Sequence, residues 1–368
     1  MTRVAIYTIA KNEEQNVTGF MESCRDADLV IVGDTGSTDN TVHTLQQHSA
    51  IVVPVHVSPW RFDIARNTVL ALVPPEFELC IALDLDERLQ PGWRETIEPL
   101  WDPDYHSRLW FKYIHAFNAA GAPATMSMKG FAHSRHGYAW KHRVHEDIYW
   151  QGNPEVERHL RLSDIVVEHR QHKKGDRDNY LGLLQDECVS ETVTNRHVFW
   201  LCREVFQRRD WESVLATCQK LLSYKNLWHV ELAHCLFMQA IAFESLGKSH
   251  DAMQSHMRGC NAAPKERETW FEFGRFYYKK RQWAQAYGLF VQCLEITHRG
   301  DHYLTTETAW GAWPHYMAAA CMYRMGGHAE AAKHIMNAAK YDMTSPHIKE
   351  LLIALQPHIN ESSDGKKV

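Results

Sequence analysis

The chain has 368 residues, a formal net charge of −5 and a composition ordinary for a globular protein, with length enough for two or more cores. That charge excludes a global demand for nucleic acid or an anionic membrane, and no stretch approaches the roughly 20 apolar residues of a membrane helix. Nine cysteines, odd in number and without a Cys-x-x-Cys pair, fit reduced thiols better than a disulfide framework and predict a cytoplasmic location.

Met1-Thr2-Arg3 leads into a short apolar run, Val4 to Ile9, too short for a secretion signal. VAIYTIA (4–10) predicts a buried strand and KNEEQNVTGFMESC (11–24) a turn and a helix. LVIVGD (29–34) predicts a second strand, TGSTDNTVHTLQQH (35–48) a turn and a helix, and IVVPVHV (51–57) a third strand. FDIARNTVLALV (62–73) has helical spacing and stops at Pro74-Pro75, and LCIALDLD (79–86) predicts the fourth strand. Continuous apolar strands alternating with helices predict a mostly parallel α/β sheet. From about 105 to 170 the helices vanish, although RLWFKYIHAF (108–117) and DIVVEHR (164–170) still read as strands. This is the more antiparallel second half of the same domain.

From about 178 the sequence reads as helix almost throughout. LGKSHDAMQSHMRGC (246–260), KRQWAQAYGLFVQCL (280–294) and MGGHAEAAKHIMNAA (325–339) share a polar turn followed by an Ala-rich helix. Ala252 and Ala286 lie 34 residues apart, the tetratricopeptide period. The third copy is offset by an insertion around 298–314, and RRDWESVLATCQKLL (208–222) is an earlier copy. The expected domains are therefore 1–178, 179–357 and a disordered tail, 358–368.

Ligands on open α/β sheets bind beyond the carboxyl ends of the strands. Here Thr8 ends strand one, Glu13 follows it, Asp34 ends strand two, and Asp84 and Asp86 end strand four. Residues i and i+2 of a strand share a face, so one carboxylate can accept from a hydroxyl while the other holds a hard cation. Glu87 is read as partner of a neighbouring basic group. Asp39 and Asn40 read as turn and cap residues, and Trp60, Trp93 and Trp140 as partial core. His142 and His145 lie near Glu146 with no cysteine nearby, which weighs against zinc.

With these motifs in order, residues 1 to about 178 resemble a family 2 glycosyltransferase of the GT-A fold. The resemblance is carried by VAIYTIA with KNEEQNV, then VGDTGSTDNT, WRFDIARN, and ALDLDERL followed by Gly92-Trp93. More narrowly, the chain resembles the bacterial and phage branch in which tetratricopeptide-like helices follow; Val144-His145-Glu146 and His169 match its later motifs. The resemblance implies that Asp34 contacts the nucleotide base, with Thr8 and Glu13 near it and Arg66 near the nucleotide. It implies Asp84 near ribose and donor sugar, and Asp86 with His169 on a divalent metal, Mn²⁺ or Mg²⁺. Glu146 takes the place of the catalytic base, with Asp147 beside it as an open alternative. The basic run Arg170, Lys173, Lys174 and Arg177 offers cations to the diphosphate or a solvated loop; the lysines read as loop, and Arg177 is expected at the diphosphate.

The implied activity is inverting transfer from a nucleoside diphosphate sugar, with uridine as base, to a hydroxyl of a protein, a saccharide or a modified DNA base. The helical half would bind the acceptor or a partner. A DNA acceptor would call for a cationic stripe, such as Lys129, Arg135, Lys141, Arg143 and Lys173, and net charge is against it. A nucleotidyltransferase would need a Gly-rich phosphate loop where KNEEQN stands. The remaining alternative is a repeat scaffold with an inactive nucleotide-binding domain.

Overall fold

The computed structural model describes residues 2–117, 121–170, 180–190 and 193–359. It divides into two compact units, Met1–His197 and Val198–Val368.

The first unit is built on an eight-stranded mixed sheet. Its elements are β1 (Val4–Ala10), α1 (Glu14–Ser23), β2 (Leu29–Asp34), α2 (Thr41–Gln47), β3 (Ile51–Pro54), α3 (Phe62–Leu72), β4 (Leu79–Ala82), β5 (Glu87–Leu89) and α4 (Trp93–Ile97). Then follow β6 (Arg108–Phe117), β7 (Pro123–His133), β8 (Tyr138–Lys141), β9 (Asp147–Trp150), β10 (His159–His169) and α5 (Tyr180–Cys188). The strand order is β3-β2-β1-β4-β7-β6-β10-β5, with β8 and β9 as a separate ribbon. The first four strands pair in parallel; β7 is antiparallel to β4 and β6, and β10 is parallel to β6 but antiparallel to β5.

Alternation along β1 divides the core. Val4 and Ile6 pack with Phe20, Met21 and Trp93 on one face, while Ala5 and Tyr7 pack with Val69, Leu70 and Trp140 on the other. Trp93 and Trp140 are thus core, as expected. Strands one and two and the strand at 108–117 match the expected spans. Strand four does not: β4 ends at Ala82, and Asp84 and Asp86 lie in the turn before β5. Buried Leu83 and Leu85 still alternate with the acids, so apolar content outlasts the ladder. Apolar alternation measures burial, not pairing, which is why the expected strand ran too long.

The second unit is helical throughout its described residues. Its elements are α6 (Asn195–Gln207), which begins in the first unit, α7 (Trp211–Leu222), α8 (His229–Ser245), α9 (Ser249–Ala262), α10 (Arg267–Lys279) and α11 (Trp283–Glu295). A short α12 (Glu307–Trp310) occupies the expected insertion, and α13 (Trp313–Arg324), α14 (His328–Tyr341) and α15 (Pro346–Ala354) complete it. Successive hairpins repeat one geometry. Arg209, Gly247, Arg281 and Gly326, each two residues before the second helix of a hairpin, all have positive φ. Val214, Ala252, Ala286 and Ala331, each three residues into that helix, are fully buried. One turn further on, Cys218, His256, Phe290 and Ile335 are buried too. The expected tail from 360 onward lies outside the described residues.

Phe290 is fully buried against the ring of Phe271, 5.9 Å between centroids, and against Gly274. Phe290→Ala is expected to cost the helical unit about 3–5 kcal/mol in denaturant unfolding followed by circular dichroism. A loss below about 1 kcal/mol would contradict a packed hairpin core.

Candidate active site

The site begins with α3. Asn67 donates from its amide to the Trp140 carbonyl at 2.8 Å and accepts from the Trp140 N–H at 2.9 Å, fixing β8 to the helix. The Phe62 N–H donates to the Arg143 carbonyl at 3.1 Å, fixing the loop that follows. Arg66, between these clamps, points into a cleft of about 280 Å³. Its Nε donates to Glu146 at 2.7 Å and its Nη2 to Asp84 at 2.8 Å, with the guanidinium over the Trp140 ring. One cation thus joins the turn after β4 to the loop before β9.

The three groups differ in solvation. The Asp84 side chain is 48 % exposed, that of Glu146 12 %. Burial by itself would raise Asp84, but Arg66 first, then Lys129 and His169, hold its carboxyl below the usual range. For Glu146 burial prevails over Arg66 and pushes the carboxyl above the usual range. Arg66 is buried, yet its two carboxylates keep it firmly charged.

Phe62, Phe131, Trp140, Val144, His145 and Tyr180 supply much of the remaining wall. His145, at φ +50°, pairs through Nε2 with the Tyr180 hydroxyl at 2.7 Å, tying the pocket loop to α5. His142 pairs elsewhere, so the two histidines do not form one site.

Asp86 and His169 meet beside the cleft without lining it. Antiparallel β5–β10 pairing sets His169 opposite Glu87, and His169 Nε2 lies 3.1 Å from Asp86 Oδ2. The hydrogen bond with Asp86 raises the His169 pKa, against burial. A carboxylate and an imidazole side by side, both partly exposed, fit a divalent cation, and Glu13 lies close enough to feel Asp86 and Asp84. Burial first, then those two acids, raise the Glu13 carboxyl.

Glu87 has a different task, as expected from its reading as a partner of basic groups. It accepts from the Tyr113 hydroxyl at 2.5 Å and from the Asp84 N–H at 3.0 Å, and lies 3.6 Å from Lys129 Nζ. Asp147 also turns away: Oδ1 lies 3.5 Å from Arg108 Nη2 and accepts from the Ile148 N–H at 2.8 Å. Asp34 closes the turn after β2 by accepting from the Gly36 and Ser37 N–H groups at 3.2 Å. Thr8 is fully buried, its hydroxyl donating to the Ile9 carbonyl. Neither Thr8 nor Asp34 lines the cleft. Asp39 stays a turn residue, accepting from the Thr41 N–H at 3.0 Å and the Glu14 N–H at 3.3 Å.

Arg177, with Lys173 and Lys174, lies outside the described residues. The suggested cationic stripe is dispersed: Lys129 pairs with Glu87, Arg143 lies near Glu187, and Arg135 caps carbonyls of Ala71 and Val73. Sequence reasoning placed Lys129 only in that stripe and missed Tyr113 and Phe131, because β7 carries no motif and Tyr113 reads only as strand.

Arg66→Met leaves the buried Glu146 without its cation. It is expected to destabilise the first unit by about 3–5 kcal/mol in thermal or denaturant unfolding, and adding Glu146→Gln should restore part of the loss. No destabilisation by Arg66→Met would contradict the bridge.

Residues 5–118 match the family model described as glycosyl transferase family 2. Among curated proteins, the chain is 24% identical over 109 residues to the BBSome complex member BBS4 homolog of Drosophila melanogaster. That match covers 30% of this chain and 22% of the relative, so the chain spans about a fifth of that protein's length. Among solved structures, MamA from Desulfovibrio magneticus is similar at 12% identity and a TM-score of 0.37, over 47% of this chain and 89% of that one. Glucosyl-3-phosphoglycerate synthase from Mycobacterium tuberculosis, solved with Mn²⁺, UDP and phosphoglyceric acid, is similar at 20% identity and a TM-score of 0.29, over 36% and 56% of the two chains. Among the described residues no helix is long and apolar enough to cross a membrane. Residues 5–118 are thus similar to a glycosyl transferase family 2 domain, and repeated helical hairpins follow them.

Proposed function

We propose that the chain transfers a sugar from a nucleoside diphosphate sugar, with uridine as base, to an acceptor hydroxyl, with inversion and with a divalent metal. The observation that carries this reading is the Arg66 bridge. It draws Asp84 and Glu146, from separate halves of the domain, to one cleft at the carboxyl end of β4. The glycosyl transferase family 2 match supports the class of reaction.

Glu146 is the residue proposed to take the acceptor proton. It lines the cleft, whereas Asp147 is drawn towards Arg108. A base with a raised pKa accepts a proton more readily, provided it is ionised at the working pH. Arg66 keeps Glu146 oriented and opposes its protonation. Asp84, held ionised and half exposed, accepts from donor hydroxyls. Asp34, Thr8 and Glu13 are proposed for the base and ribose side, and Arg177 for the diphosphate. Asp86 and His169 would hold the metal. Bound there, Mn²⁺ or Mg²⁺ would supply positive charge to the leaving diphosphate. The helical unit is proposed to bind the acceptor, a protein or a saccharide, and a cytoplasmic location is proposed from the reduced thiols.

Transfer or hydrolysis of nucleotide sugars, assayed with Mn²⁺ or Mg²⁺, tests the reading. Excess chelator and Asp86→Ala should each abolish turnover, and full activity in both would remove the metal from the account. Glu146→Gln should lower kcat by about 10²–10⁴-fold with little change in donor binding. Because its folded pKa is raised, Glu146 is competent above that pKa and protonated below it. The acid limb of the wild-type profile should therefore fall above the ordinary glutamate value of about 4.3. A limb at or below that value would assign the base elsewhere. If no nucleotide sugar binds with metal present, the repeat scaffold becomes the better reading.

A further inference from the structure

A second cluster of ligand-type side chains lies apart from Asp86. His142 follows β8, Glu187 sits in the last turn of α5, and His197 lies in the first turn of α6. Each offers one donor atom, and the three atoms lie within 4.8 Å of one another. His142 Nδ1 is 3.0 Å from Glu187 Oε1, and the two imidazole centroids are 4.1 Å apart. Glu187 and His197 are each 1 % exposed.

We infer that His142, Glu187 and His197 form a binding site for a zinc-like divalent cation, separate from the metal proposed at Asp86. Two imidazoles and one carboxylate are the donor set of a borderline cation, not of Mg²⁺ or Ca²⁺. Bonds of about 2.0–2.1 Å at tetrahedral angles put neighbouring ligand atoms roughly 3.3 Å apart, close to the His142–Glu187 separation. Nδ1 of His197 accepts from the Thr194 N–H at 3.2 Å and lies 2.9 Å from the Thr194 hydroxyl, contacts that hold the ring in place.

The competing account is a carboxylate satisfied within the protein. Glu187 accepts from the Arg143 N–H at 3.2 Å, and the Arg143 guanidinium lies 3.9 Å away. Those contacts use Oε2 and leave Oε1 to His142 and a cation. They do not explain why a second imidazole is packed against the first with Nε2 making no hydrogen bond to the described residues. His142 holds a backbone at φ +83°, a conformation that costs energy and turns its ring towards α5. A cation there would tie the loop carrying His145 and Glu146 to α5 and to His197, the last residue of the first unit.

The test is metal analysis of the full chain, purified without chelator, and cobalt substitution of chelator-stripped protein. The expected result is about one equivalent of zinc per chain, with visible d–d bands of tetrahedral type on adding Co²⁺. Glu187→Gln and His197→Gln should each lower zinc occupancy at least tenfold and remove the bands. Asp86→Asn should leave both unchanged. Less than a tenth of an equivalent, with no band on cobalt addition to the wild-type chain, would overturn the inference. Zinc retained in both triad variants would overturn it too, and would point to the buried thiols of Cys202, Cys218 and Cys235. If a variant fails to fold, the wild-type cobalt spectrum still decides: a strong thiolate charge-transfer band would place the ion on the cysteines and overturn the inference, whereas d–d bands without it support the triad.

Discussion

A guanidinium held between two carboxylates is the constraint on which the first domain turns. Arg66 would lose heavily on burial without Asp84 and Glu146, and Glu146 would lose heavily without Arg66. Neither acid can move to solvent without leaving a charge behind. The turn after β4 and the loop before β9 are therefore held at a fixed separation, although Asp84 and Glu146 are 62 positions apart in the sequence. The clamps from Asn67 and Phe62 on the same helix act in the same direction. One helix, α3, thus aligns both walls of the cleft.

The acid-rich turn serves two ends through a small change in direction. After Ala82 the chain leaves the centre of the sheet, and β5 pairs at its far edge with β10. Leu83 and Leu85 stay buried, so Asp84 and Asp86 emerge on the polar side of the turn. Asp84 faces Arg66 and the cleft, and Asp86 faces His169. Glu87, the third acid, is drawn into the core by Tyr113 and Lys129 and supports the turn from below. Three neighbouring carboxylates thus have three environments: Asp84 and Asp86 are partly exposed, and Glu87 is buried at the cleft wall.

Much of this was legible in the residues. The strands at 4–10 and 29–34 are largely apolar runs, that at 108–117 mixes apolar with basic residues, and all three match the structure. The hairpins were legible because each second helix repeats small and apolar residues at one spacing, as at Ala252 and Ala286. Other features have no local signal. β7 lies in a stretch of Gly, Met and polar residues, and its place between β4 and β6 is decided by pairing partners far along the chain. The separation of Glu146 from Asp147 is likewise a tertiary matter. Side chains alternate along an extended backbone, so one acid turns to Arg66 and the next to Arg108. The triad of His142, Glu187 and His197 spans 56 residues and shows no metal-ligand spacing, so only the folded first unit, which brings the three side chains together, discloses it.

The central claim is that Asp84, Asp86 and Glu146 belong to one nucleotide-sugar site built around Arg66. Calorimetric titration of the full chain with UDP in the presence of Mn²⁺ tests it most directly. The account predicts one site per chain, dependent on the metal and lost in Asp86→Asn. Binding of equal strength with and without Mn²⁺, or binding unchanged by Asp86→Asn, would contradict it.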